Sequence, residues 1–290
     1  MPRIRILTIL CFAAIYLIWG STFLAIRIAV ATVPPLFAAA VRFLIAGAML
    51  YAWARMRGGV KPTGVQWRNL AILSTFLFLI SYGAVFWAEQ SLPSGVVSVL
   101  VAMIPVWTAL LQIGVLRKEP LRWPLAVSIL LGLGGVTVLA FDPVSRLNLV
   151  AAITVVAGAI SWSIGTVLSK ILTVPKSMPV NSGAQMLLGG LMLLFCSGLA
   201  GEWHPAPVIS MRAGLAILYL AVAGSVVAYT AYVWLLDRMR PTVVTSYAYV
   251  NPVVALLLGH WLAGEGLGLR TVLGAAMVLL SVVVVMVVRD

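Results

Sequence analysis

The residues able to do chemistry in this chain are few, and they sit where polar groups are costly. Arg42 falls in the middle of an apolar stretch, 35–54. An ionisable group there is expensive unless it faces protein or a water-filled cavity. Two readings stay open. Arg42 either anchors the carboxylate or phosphate of a small molecule, or it holds its own helix by donating to backbone carbonyls and helix ends. Pro105 and Pro252 lie inside two further apolar stretches, 94–116 and 241–262. Each removes a backbone hydrogen bond and frees a carbonyl about one turn back. In lipid such a group is tolerated where it is buried in protein or lines water. Both prolines are candidate gating hinges in cavity walls, against the alternative of static packing kinks. Pro93 and Pro241 stand near the starts of the same stretches, where proline is ordinary.

The aromatic residues divide by depth. Trp53, Trp67, Trp87, Trp123, Trp203, Trp234 and Trp261 lie near the ends of apolar stretches and read as interfacial belts. Trp19, Trp107 and Trp162 lie deeper, as do Tyr82, Tyr229, Tyr247 and Tyr249, whose hydroxyls need partners away from water. Tyr247 and Asn251 are four apart and share a helix face just before Pro252. Each aromatic taken alone reads equally as cavity wall or as packing. As a set they favour a cavity suited to an apolar or aromatic body with a few polar handles. The candidate substrate-binding set is Trp19, Ser21, Arg42, Tyr82, Trp107, Trp162, Tyr229, Tyr247, Tyr249 and Asn251.

Absences narrow the chemistry. All seven acids (Glu89, Glu119, Asp142, Glu202, Asp237, Glu265 and Asp290) stand at or beyond the ends of apolar stretches. Proton-coupled carriers commonly use an intramembrane carboxylate or histidine. His260 is the remaining candidate, and it reads more simply as interfacial. Facilitated movement without obligatory proton coupling is therefore expected, and cationic drugs are disfavoured as cargo. No H-E-x-x-H, G-x-S-x-G or clustered His, Asp and Cys appears, so neither an enzyme nor a metal or cofactor site is expected. Cys11 and Cys196 lie in apolar runs and read as packing residues. A channel would want a ring of charge or exposed carbonyls around a pore.

The elements that must position these residues follow from composition. Of 290 residues, 63% are hydrophobic and only 9% charged. A soluble domain carries roughly a quarter charged residues, so most of this surface faces lipid. The net charge of +12 is spread over short connections and forms no basic stripe, which excludes nucleic acid as a partner. Apolar stretches run 6–26, 35–54, 68–88, 94–116, 123–141, 149–170, 179–200, 213–235, 241–262 and 269–288. Each suits a bilayer span of about twenty residues. The first follows a basic start but no small-residue cleavage site, and is read as a retained span. With ten spans, fourteen Lys and Arg fall on the side of the N terminus and four (Arg27, Arg146, Arg212 and Arg270) on the other. Positive charge stays cytoplasmic, so both termini are expected inside.

The chain repeats itself. Tyr82-Gly-Ala-Val-Phe-Trp87 matches Tyr229-Thr-Ala-Tyr-Val-Trp234. At the same offset Val96-Val97 meets Val243-Val244, and Pro105 meets Pro252. Trp19 and Trp162 precede Arg27 and Lys170 by the same eight residues. Arg42 finds Gln185 as its counterpart, so symmetry does not demand the charge. The halves are 1–141 and 142–290, each with five spans. Five is odd, so the second half enters the membrane upside down. Inverted repeats mark alternating-access carriers with a midplane site between the halves. The fifth and tenth spans carry almost no polar residues, and Gly132, Gly134, Gly135 and Gly274 suit close packing, as scaffold or dimer contact.

Ile18-Trp-Gly-Ser-Thr-Phe-Leu-Ala-Ile-Arg27 resembles the opening motif of the EamA-type permeases in the drug/metabolite transporter superfamily. Asn251-Pro-Val-Val-Ala255, Leu262-Ala-Gly-Glu-Gly266 and Gly274 are similar to that family's closing pattern. In the first copy Arg117-Lys-Glu119 departs from it, with Lys where a glycine is usual. The resemblance implies an all-α integral membrane protein, with ten helices in two inverted five-helix repeats around a central cavity. It also implies a carrier of amino acids or similar small metabolites in a bacterial inner membrane, as monomer or homodimer. The aromatic set narrows this to export of large neutral or aromatic amino acids, with multidrug or other metabolite permease as the alternative.

Overall fold

The computed structural model describes residues 2–116, 123–140, 148–236, 238–239, 244 and 247–288. Arg117, Lys118, Glu119, Asp142, Arg146, Asp237, Pro241, Val243 and Asp290 lie outside these, as does the side chain of Tyr249.

The described residues form helical rods, as an apolar chain in lipid must, because a helix satisfies its backbone within one segment. In chain order they are α1 (2–30), α2 (Pro35–Met56), α3 (64–88), α4 (94–116) and α5 (Trp123–Ala140), then α6 (Leu149–Leu168), α7 (Met178–Leu199), α8 (211–236), α9 (Tyr247–Ala263) and α10 (Leu269–Val288). Seven of them, α1–α4 and α6–α8, hold 18 or more residues of apolar sequence, enough to cross a membrane. The apolar parts of α5, α9 and α10 are shorter, at Ala126–Leu139, Val250–Ala263 and Leu269–Val284. Their starts are written locally. Thr63 and Gln66 close a reciprocal capping box before α3, and the Asn148 and Ser210 side chains cap α6 and α8. Pro35 and Pro179 sit in the first turns of α2 and α7.

Two helix pairs make the frame. Along α2 and α7 small residues let the backbones meet. A Cβ on Gly47 would stand 2.6 Å from the Leu187 amide nitrogen, and one on Gly183 would stand 2.6 Å from that of Tyr51. In the α5–α10 pair Gly135 and Gly274 face each other's carbonyls, and Ser128 Oγ donates to Ser281 O at 2.8 Å. The glycine-led packing expected of α5 and α10 is present. Around the frame α3 packs on α6 and α8 on α1; likewise α4 packs on α6 and α9 on α1. This list is unchanged when each first-half helix is exchanged with its second-half counterpart.

Three rods are not uniformly α-helical. Ala14–Ile18 in α1, Thr75–Tyr82 in α3 and Leu220–Val227 in α8 are π-helical. The last two occupy nearly matched places in the two halves. Helix α4, expected as one span, is interrupted by a turn at 102–103, just before Pro105. Pro252 behaves differently: it sits inside α9, which continues through it. Matching prolines therefore break one helix and leave the other whole.

Candidate functional site

Arg42 is 2% exposed at the centre of α2. Its Nε donates to Ser225 Oγ in the π-helical stretch of α8 at 3.2 Å, and Ser225 in turn donates to Leu220 O at 3.0 Å. The guanidinium carbon lies 4.8 Å from the Phe43 ring centre and 5.0 Å from that of Tyr82. Aromatic faces attract a cation, and the effect grows when water is excluded. Nη1 is buried and has no hydrogen-bond partner. An orphaned charged donor in the interior is costly and awaits an acceptor.

Around Arg42 a first aromatic cluster forms. Phe43 meets Phe78 and Tyr82 edge-on with ring centres 4.9 and 4.7 Å apart. Tyr82 also meets Trp162 of α6 edge-on at 5.7 Å. A second cluster gathers around Trp19 of α1, with rings from α8 and α9. Trp19 contacts Tyr247 at 4.9 Å and Tyr232 at 5.4 Å, and Tyr232 contacts Tyr229 at 6.3 Å. The Tyr229 hydroxyl pairs with Ser182 Oγ on α7. The clusters join at two consecutive residues of α8. Trp19 Nε1 donates to Gly224 O at 2.9 Å, while Arg42 reaches Ser225. A Cβ on Gly224 would sit 3.0 Å from Thr22 Cγ2 and 3.5 Å from Arg42 Nη2, so the seam is tight.

Six of the residues singled out from sequence therefore lie in ring contact within these clusters or, like Arg42, against their rings: Trp19, Arg42, Tyr82, Trp162, Tyr229 and Tyr247. Others are placed differently. Ser21 Oγ is occupied by Ile18 O at 2.8 Å and by the Tyr219 hydroxyl at 2.6 Å, on an exposed edge of the α1–α8 contact. Asn251, with its amide turned so that nitrogen faces acceptors, donates to Ile15 O, Tyr16 O and Tyr247 O at 3.2–3.3 Å. It thus ties α9 to the π-helical stretch of α1. Trp107 packs on an apolar cluster that includes Met103, Val106 and Val278, with its indole N–H buried and unpartnered. Ser225, Phe43, Phe78, Tyr232 and Ser182 were not singled out from sequence. Ser225 is the repeat counterpart of Phe78, so matching the halves pairs it with a ring and hides its role.

One expectation about the acids needs correction. Glu89 does follow the last turn of α3, but it is 1% exposed and both carboxylate oxygens lack partners. Position at a helix end did not mean contact with water. The facilitative reading therefore cannot rest on every acid being hydrated. His260, by contrast, is exposed, with Nδ1 2.9 Å from Glu265 O, as an interfacial residue would be.

The chain as a whole has known relatives. Residues 6–141 and again 149–287 match the EamA-like transporter family. In Escherichia coli (strain K12) the uncharacterized inner membrane transporter YedA is 39% identical over 274 residues, covering 94% of this chain and 88% of that protein. Protein PecM of Dickeya dadantii (strain 3937) is 28% identical over 271 residues, covering 92% and 88%. A solved crystal structure 20% identical to this chain shares its fold at a TM-score of 0.66, covering 98% of this chain and 99% of that one. The family matches each half separately and together takes in nearly every helix described above, so the chain belongs to the EamA-like transporter family of membrane transporters.

Proposed function

We propose that this carrier exports large neutral or aromatic amino acids across a bacterial inner membrane, by facilitated alternating access. The observation that carries the reading is Arg42 Nη1, buried and unpartnered against the rings of Phe43 and Tyr82. A guanidinium presents a planar fork that matches a carboxylate. A substrate α-carboxylate would supply the missing acceptor, and the two aromatic clusters would flank its side chain. Tyr and Ser hydroxyls at the seam offer acceptors for the ammonium group. The name of the YedA relative supports the inner-membrane location, and the Lys/Arg asymmetry supports cytoplasmic termini.

The halves, 1–141 and 142–290, are read as inverted repeats that rock about this seam; their interchangeable packing partners support this. The frames α2–α7 and α5–α10 would stay packed. The π-helical stretches of α1, α3 and α8 and the turn before Pro105 would give, since irregular helical turns mark places where a rod can bend.

The test is counterflow in liposomes containing the purified protein. Saturable, ionophore-insensitive exchange of aromatic and large neutral amino acids is expected. Aromatic amines lacking the carboxylate should be rejected. Equal transport of those amines, or transport of cations only, would overturn the assignment.

A further inference from the structure

At the end of the bundle opposite the N terminus, one acid stands apart from the site just described. Glu89 is 1% exposed, and neither oxygen accepts a hydrogen bond. Three charged groups bear on it: Arg27, Arg42 and Glu265. From α1, Arg27 Nη1 donates to the backbone carbonyls of Glu89 and Leu92, and its Nε lies 3.4 Å from Glu265 Oε1. The Arg27 backbone amide also lies near the Glu89 carboxyl and favours its ionised form. From α2, Arg42 gives its Nε to Ser225 and lies against the rings, while its Nη1 has no hydrogen-bond partner. From the 264–268 connection, Glu265 accepts from the Ser94 and Gly95 amides at 2.8 and 3.2 Å. Helix α6, packed on the end of α3, carries no titratable side chain between Leu149 and Leu168.

Burial therefore raises the Glu89 carboxyl well above its ordinary range, and the nearby Glu265 charge adds to this; Arg27 and Arg42 oppose it. A carboxylate ionised at this place would be a buried charge without hydrogen bonds, which is strongly destabilising. With a proton on Glu89 the end closes without that charge.

We propose that Glu89 is a proton-binding site that makes the opening of this end of the carrier depend on the pH of the compartment it faces. The inference rests on the alternating-access reading above. When this end opens, water reaches residues 89–94 and the carboxyl loses its proton; when it reseals, the proton returns. Glu89 lies at one end of the bundle, so the proton leaves to and comes back from the same side. No proton crosses per cycle, and the site regulates facilitated transport without drawing on a gradient. The sign follows from linkage. The closed end is favoured fully below the open-state pKa, and that advantage is lost as pH rises toward the raised closed-state value. Between the two, the open-to-closed ratio rises about tenfold per pH unit.

The labelling measurement needs no substrate, so it fails or succeeds separately from the amino-acid assignment. Ser94 is fully buried beside Glu265, whereas Gln90 is exposed. Ser94→Cys and Gln90→Cys are made in a Cys11→Ala, Cys196→Ala background and treated with a membrane-impermeant maleimide on this face at several pH values. Dividing the Ser94→Cys rate by the Gln90→Cys rate removes the thiol's own ionisation. The ratio should climb several-fold with pH while Glu89 is present, and should become flat with Glu89→Gln. A flat ratio with Glu89 intact, or an equal slope with Glu89→Gln, overturns the proposal. Should Glu89→Gln fail to fold, the intact protein still decides. Its exchange rate must follow pH on this face alone, and an imposed proton gradient must not accumulate substrate. Accumulation against a gradient would mean that the proton crosses, which also overturns it.

Discussion

The two aromatic clusters are built from matching positions of a repeated sequence, yet only one holds a cation. Tyr82 and Tyr229 correspond, as do Trp162 and Trp19. Arg42, however, corresponds to Gln185, whose Nε2 is satisfied by Asn181 Oδ1 at 2.8 Å. The first cluster keeps a buried donor open; the second closes its polar groups internally, through Trp19 to Gly224 and Tyr229 with Ser182. The repeat supplies a Tyr and a Trp to each wall, and divergence at the position of Arg42 gives one of them a charge. In the proposed mechanism the first cluster fixes the polar end of the substrate and the second shapes the pocket for its body.

The largest effect should come from removing that charge. Arg42→Gln should lower counterflow of aromatic amino acids by two orders of magnitude or more at equal expression. Losing a charge-assisted hydrogen bond and the ring contacts removes about 3 kcal/mol. Arg42→Lys should retain part of the activity, since the charge stays but the planar fork is lost. Exchanging the residues, Arg42→Gln with Gln185→Arg, should not restore transport, because the second cluster has no open place for a guanidinium. Restoration would mean that the clusters are equivalent and would break the comparison.

Trp19→Phe tests the seam from the other side. It keeps a ring against Tyr232 and Tyr247 but leaves the Gly224 carbonyl without its indole donor. A loss of about tenfold in exchange rate is expected, from roughly 1–1.5 kcal/mol for a hydrogen bond at a partly buried acceptor. Because Gly224 and Ser225 are consecutive, this change should also weaken the substrate's carboxylate selectivity, measured as the ratio of rates for an amino acid and its amide. A rate loss with selectivity unchanged would mean that the two clusters act independently.

Much of this arrangement was legible in the sequence because two periodic signals are strong. Runs of apolar residues about a bilayer long place the spans, and the matched Tyr, Trp and Pro positions show which helices correspond. Arg42 was legible as an anomaly of charge within one run. What a linear reading misses is contact across halves. Ser225 follows Gly224 in a stretch that reads as ordinary apolar helix, and nothing in Leu220–Val227 announces a π-helical turn. Nor does the sequence show that the Asn251 amide reaches carbonyls in the π-helical stretch of α1. Glu89 shows the same limit for depth: a residue's place at a helix end does not say how deeply its side chain is buried.

The smallest expected effect separates packing from chemistry in the second cluster. Tyr229→Phe deletes the hydroxyl paired with Ser182 and leaves the ring beside Tyr232 in place. If this cluster shapes the pocket by its rings, exchange should fall by no more than about threefold, since one neutral hydrogen bond contributes about 0.5–1.5 kcal/mol and its loss spreads over both transport states. Tyr82→Phe at the matching position should do more harm, because its side chain lies against the Arg42 guanidinium. Measuring both variants in the same liposomes gives the comparison its finest test. Equal losses would assign the two tyrosines the same role, and the asymmetry introduced by Arg42 would then lie in the arginine alone.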